Sequence, residues 1–266
     1  FFGCTPCHIA VKFENIPLLS LLSSCKSVDF NIPGPNEETV LHMACSQSYN
    51  LRLFELLLSI PFIDLSSKKN GVTPFNLLLA QMYDDEMITD LFMKHPQFES
   101  GIYNEDKTTA FWTCNSVQNW EKLISDGRVD PSVPSNDGEY LLHKISSKDY
   151  LNEFYQFALN TLLADERVDA NVVSPSGQTL WSNVNKIDKL EIIMENGVLY
   201  PTPEIFKNCV ERVFSGWSAK SEFRLMAKCC FFIGMEPEEL FDFMRKDTIQ
   251  FIKDNILLMR SKSANQ

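Results

Sequence analysis

The sequence predicts an all-α fold, a solenoid of stacked helix pairs, on three observations. A short pattern opening on threonine recurs: Gly3-Cys4-Thr5-Pro6-Cys7-His8-Ile9-Ala10, Glu38-Thr39-Val40-Leu41-His42-Met43-Ala44 and Gly71-Val72-Thr73-Pro74-Phe75-Asn76-Leu77-Leu78, with Thr5, Thr39 and Thr73 each 34 residues apart. A second pattern, an aliphatic residue and then aspartate, recurs in phase with the first: Val28-Asp29-Phe30-Asn31, Ile63-Asp64-Leu65-Ser66, Val129-Asp130-Pro131-Ser132 and Val168-Asp169-Ala170-Asn171. Between the two, apolar residues follow helical spacing.

Each copy reads as two helices. Thr5 and Thr73 can accept a backbone N–H as helix caps, and Pro6 and Pro74 suit a first helical position that needs no donor. A short helix follows, then a second that carries the apolar load: Leu18, Leu19, Leu21 and Leu22 in the first copy, and Leu53, Phe54, Leu56, Leu57 and Leu58 in the second. Burying one such side chain contributes about 1.5–3 kcal/mol. A lone helix pair has nowhere to bury that surface, so the copies must stack. Weaker copies open at Thr109-Ala110-Phe111-Trp112, Tyr140-Leu141-Leu142-His143 and Thr179-Leu180-Trp181-Ser182, at intervals of 36, 31 and 39 residues. Lengthened helices are expected between Tyr150 and Asp165.

The threonine pattern resembles the ankyrin-repeat family, whose signature is T-P-L-H-x-A at a period near 33. The aliphatic-Asp-x-Asn stretch matches the segment that leads that family's second helix into its hairpin. The resemblance spans residues 1–200, about six repeats with the first truncated at its hairpin, so further repeats are expected before Phe1. It implies helix pairs joined by hairpin-like loops. It also implies that His8, His42 and His143 bond backbone in the neighbouring turn. The third and fourth copies depart from the pattern, with Asn76 and Trp112 in place of His.

From Thr202 the repeat signature stops and helical pattern continues. Thr202-Pro203-Glu204 is a helix start, Gly234 a C-cap, and Pro237 opens a third apolar helix. Residues 201–266 are therefore expected to form capping helices or a small helical module, since an uncapped array exposes a sticky face.

Composition bounds the function. A net charge of −11 disfavours nucleic acid, whose affinity comes largely from Lys and Arg on phosphates. The same acidity suits a partner with a basic surface. No apolar run approaches the ~18 residues of a membrane span. Eight cysteines (Cys4, Cys7, Cys25, Cys45, Cys114, Cys209, Cys229 and Cys230) lie mostly in apolar helical patterns, and no Asn-x-Ser/Thr site occurs. Both favour a cytoplasmic, reducing compartment.

Several motifs mimic chemistry. Cys4-Thr5-Pro6-Cys7-His8 matches redox and haem-attachment patterns, yet the repeat register already explains Thr5, Pro6 and His8, and Cys7 fills an apolar position. His95 reads as a surface loop residue, and Cys229-Cys230 as core. Asp84-Asp85-Glu86 lacks the alternating ligands of a calcium loop. No phosphate loop, nucleophile elbow or zinc-helix motif occurs. The expectation is a monomeric scaffold, not an enzyme, that binds another protein without metal or cofactor. Two alternatives are the targeting part of a larger enzyme (or an activity in the C-terminal helices) and a structural spacer.

By the resemblance, contact is expected at the hairpin tips and on the concave face of the short helices. The tip candidates are Pro33, Pro35, Asn36, Lys68, Lys69, Asn70, Asp106, Lys107, Asn136, Asp137 and Ser176. On the inner face they are Lys12, Phe13, Ser46, Gln47, Gln81 and Tyr83.

Overall fold

The computed structural model describes residues 3–81, 86–148, 152–185, 187–197 and 209. Tyr83, Asp84, Asp85, Tyr150, Cys229, Cys230 and, apart from Cys209, the expected C-terminal helices lie outside the described residues. The described chain is helical, with one isolated antiparallel bridge, Lys69 to Val72. It divides into two compact units. One holds Phe1–Leu141 with Asp165–Val168, the other Leu142–Ala164 with Asp169–Gln266.

In the first unit four helix pairs follow one another: α1 (Pro6–Lys12) and α2 (Ile16–Ser24), α3 (Val40–Gln47) and α4 (Leu51–Leu58), α5 (Pro74–Leu79) and α6 (Glu86–Lys94), α7 (Ala110–Thr113) and α8 (Val117–Asp126). The short helices pack in one row, α1 on α3, α3 on α5 and α5 on α7. The longer ones pack in a second row, α2 on α4, α4 on α6 and α6 on α8. In the second unit α9 (Leu141–Ser146, all but its first residue) precedes α10 (Glu153–Ala164), and α10 packs against α11 (Ile187–Glu195). The 12 residues of α10 make it the longest described helix, as the sequence predicts.

Caps set the helix starts. Thr5, Thr39 and Thr73 each accept the N–H three residues on, and at Thr5 and Thr39 the histidine ring returns a bond to the threonine in a reciprocal capping box. Asn15, Asn50 and Ser116 cap α2, α4 and α8 in the same way. Thr109 does not; its hydroxyl is buried without a partner, and α7 lasts only four residues.

The core lies between the two rows. Phe92 meets Phe54 at 6.1 Å and Phe75 at 5.4 Å, Phe75 meets Phe98 edge-on at 5.1 Å, and Phe111 meets Trp120 at 4.9 Å. Such pairs add to the area they bury. The apolar load expected of α2 is a correction. Only Leu19 is buried, Leu18 and Leu22 are half-buried, and Leu21 is 63% exposed. Among the outer helices described, α2 has α4 on one side only, whereas α4 and α6 are packed from both.

Candidate binding surface

A recurring corner shapes the loops. After α2, α4, α8 and α10 an aspartate accepts the N–H two residues on: Asp29 from Asn31, Asp64 from Ser66, Asp130 from Ser132 and Asp169 from Asn171, all at 2.8 Å. This local bond turns the chain toward the tip. Burial works against the Asp64 carboxylate, but bonds from Ser66 and Ser67 outweigh it and hold its pKa below the ordinary value.

At the other side of each loop the histidines do what the resemblance implies. The Nε2 of His8 bonds Glu38 O at 2.8 Å, that of His42 bonds Val72 O at 3.1 Å, and that of His143 bonds Val172 O at 3.1 Å. Asn76, which stands in the histidine position, does the same work: its Nδ2 donates to Ile102 O and to Thr73 Oγ1, both at 2.9 Å. An amide of matching reach replaces the ring, which the sequence reading did not anticipate.

Tip geometry follows. Asn36, Asn70 and Lys107 take left-handed backbone conformations, with φ of 59°, 50° and 63°; asparagine tolerates this better than lysine. Gly71 has φ +81°, and a Cβ there would stand 3.1 Å from Glu105 Oε2. Consecutive tips are stitched together. Glu105 N donates to Gly71 O at 2.8 Å, Asn136 N to Asp106 O at 2.7 Å, and Asn136 Nδ2 to Glu105 O at 3.0 Å. A shallow groove of about 360 Å³ runs across these three tips, with the carboxylates of Glu105, Asp106 and Asp137 on its lining.

Of the expected tip residues, Pro33, Pro35, Asn36, Lys68, Asn70, Asp106, Lys107, Asn136, Asp137 and Ser176 are exposed. Lys69 is half-buried, and its ammonium lies 2.6 Å from Glu38, so it holds two tips together. On the inner side Lys12, Phe13 and Gln47 are exposed, Phe13 at 64%. Ser46 and Gln81 are half-buried and donate to carbonyls of α3 and α5, Met43 O and Leu77 O. The sequence reading missed Tyr49, which is 46% exposed in the loop between α3 and α4. Its signal was available, since it stands ten residues after Thr39, the offset of Tyr83 from Thr73. Glu14 bridges the first two inter-helix loops. Ser48 and Asn50 both donate to its carboxylate, which lowers its pKa.

The chemical mimics dissolve. Cys7 is buried, and burial raises its thiol pKa, the reverse of what a reactive thiolate needs. His95 is half-buried; its ring accepts Gln97 N–H, and burial holds its pKa down. Glu86 pairs with Lys122 at 3.3 Å. Among the described residues no group of three His, Cys, Asp or Glu converges as metal ligands.

Two solved structures share this architecture. An ankyrin repeat domain from Acinetobacter baumannii AYE superposes with a TM-score of 0.57 at 19% identity, over 73% of this chain and 98% of that one. The ankyrin repeat protein EF0377 gives 0.59 at 16% identity, over 76% and 100%. The chain has the ankyrin-repeat fold. The paired helices of the ankyrin repeat, the capping threonines at Thr5, Thr39 and Thr73 and the recurring aspartate corner all belong to this fold. No family model matches the chain, and no curated protein matches it.

Proposed function

We propose that the chain is a protein-interaction scaffold that binds a partner with a basic surface along its ankyrin tips and the exposed inner-side residues. The observation that carries this is the stitched edge of the first unit. Backbone bonds hold three successive tips in register, while the side chains of Asp106, Asn136 and Asp137 stay exposed over a common groove. A surface ordered in advance loses little entropy on binding. Phe13 and Tyr49 add exposed aromatic area, the kind that anchors interfaces.

The acidic charge on the groove lining and the net charge of −11 support a cationic partner over nucleic acid. Free thiols at Cys4, Cys7, Cys25, Cys45, Cys114 and Cys209 support a reducing, cytoplasmic setting. No described helix is long and apolar enough to cross a membrane. The test is a crosslinking pull-down from native extract with the wild-type chain and with Asp106→Lys/Asp137→Lys. A protein retained by the wild type and lost by the variant supports the reading; equal retention by both removes the groove from the site.

A further inference from the structure

The turns that close the outer helices share a register, counted back from the aliphatic-Asp pair. The residue just before that pair is Phe62, Arg128 or Arg167 in three of the copies. Both arginines fold back onto the repeat before them. Arg128 Nη2 donates to Met93 O at 2.6 Å, and its guanidinium lies 4.5 Å over the Phe98 ring. Arg167 donates through Nη1 to Gly127 O at 3.2 Å and Val129 O at 3.3 Å, and through Nη2 to Ile124 O at 3.4 Å. These carbonyls lie at or beyond the C-terminal end of an outer helix, its negative pole.

Phe62 does neither. Its side chain is 87% exposed, and its backbone is left-handed at φ 64°, with Asn31 Nδ2 donating to its carbonyl at 2.8 Å. That conformation is rare for a bulky residue. The space a guanidinium fills at the later junction stands open here. It is a groove of about 470 Å³ between Ser23, Lys26, Val28 and Asp29 of the first repeat and Ile60–Ile63 of the second. In the shared register Ser23, Lys26 and Val28 are the counterparts of Ile124, Gly127 and Val129, the three residues whose carbonyls Arg167 engages. Among the described residues no hydrogen bond reaches the carbonyls of Ser23, Lys26 or Val28. Arg167 is paired first with Asp165 of its own repeat, where the Phe62 junction carries Ile60; Asp130, whose charge also acts on Arg167, has its counterpart in Asp29 on the groove lining.

We propose that this groove is a docking site for an arginine side chain of a partner protein. The guanidinium donates to the carbonyls of Ser23, Lys26 and Val28, with Asp29 as counter-charge and the exposed Phe62 ring as a cation–π lid. A planar fork of five donors suits three converging carbonyls better than an ammonium does. Lys26 carries the one opposing charge on the lining, so it weakens the site without abolishing it. The surface lies at the ends of the outer helices and does not depend on the tip reading.

The test is an amide NMR titration of the full chain with the peptide acetyl-Gly-Arg-Gly-amide, against its lysine and leucine counterparts and against free arginine. The expected result is shifts confined to Ser23–Asp29 and Ile60–Ile63, saturating at about millimolar peptide, as for a single side-chain anchor. The lysine peptide should bind about tenfold more weakly. Lys26→Ala should tighten arginine binding severalfold. Phe62→Arg should abolish it and raise the Tm, because a resident arginine then fills the groove. Absent shifts, leucine or lysine peptides binding as tightly as arginine, free arginine matching the peptide, or undiminished binding by Phe62→Arg would each overturn the proposal.

Discussion

His42 is fully buried, capped against Thr39 on one ring nitrogen and bonded to Val72 O on the other. Burial disfavours its charged form and lowers its pKa from the ordinary 6.5. The unfolded chain therefore takes up this proton first, and stability is lost as pH falls below about 6.5. Glu14 and Asp64 act in a second window. Their folded pKa values are depressed, so their contribution is present above about pH 4 and lost as pH falls through the depressed values. Thermal midpoints measured from pH 8 to 3 should thus decline in two stages. His42→Asn, copying Asn76, should shrink the first stage and leave the fold intact; a first stage of unchanged size would remove His42 as its source. His42→Leu should cost about 1–3 kcal/mol, because it removes both the ring's bond to the Thr39 cap and its bond to Val72 O.

Trp120 and Leu21 separate what a helix pattern reveals from what it hides. Both sit in apolar stripes of outer helices, yet Trp120 is fully buried against Phe111 and Leu21 is 63% exposed. Denaturant unfolding should show Trp120→Ala losing about 3–5 kcal/mol and Leu21→Ala staying within about 0.5 kcal/mol of wild type. The repeat and the caps at Thr5 and Thr73 were legible in the sequence, since each depends on residues a few positions apart or on a recurring interval, and the backbone bonds of His8, His42 and His143 followed from the family resemblance. The exposure of Leu21 was not, because it depends on how many neighbours a helix has. Nor was the half-burial of Ser46 and Gln81, whose side chains bond carbonyls of the adjoining short helix. Lys69 reads as a free tip cation until Glu38, from the preceding tip, meets it.

At the scale of the whole chain, the net charge of −11 bears on how a partner would be met. If the tip groove binds a basic partner, its association should weaken with salt, with Kd measured from 50 to 300 mM rising steadily as the charges are screened; a salt-independent Kd would argue for an apolar contact instead. Cys209 is completely buried, its sulfur 4.0 Å from Val184 O, whereas Cys25 is exposed. Thiol labelling should therefore modify Cys25 quickly and Cys209 only on unfolding, and deleting residues 201–266 should lower the Tm of the second unit. Rapid labelling of native Cys209 would count against a capping role for that segment. The aspartate corners carry one more consequence. Each is made and satisfied inside its own copy, whereas neighbouring copies meet both through backbone carbonyls and through side-chain pairs such as Lys69 with Glu38 and Glu14 with Ser48 and Asn50. A block of one period therefore carries its own corner but shares its junctions. Duplication or excision in register would change the length of the tip edge in whole steps, and the side-chain pairs at each new junction would decide whether it holds.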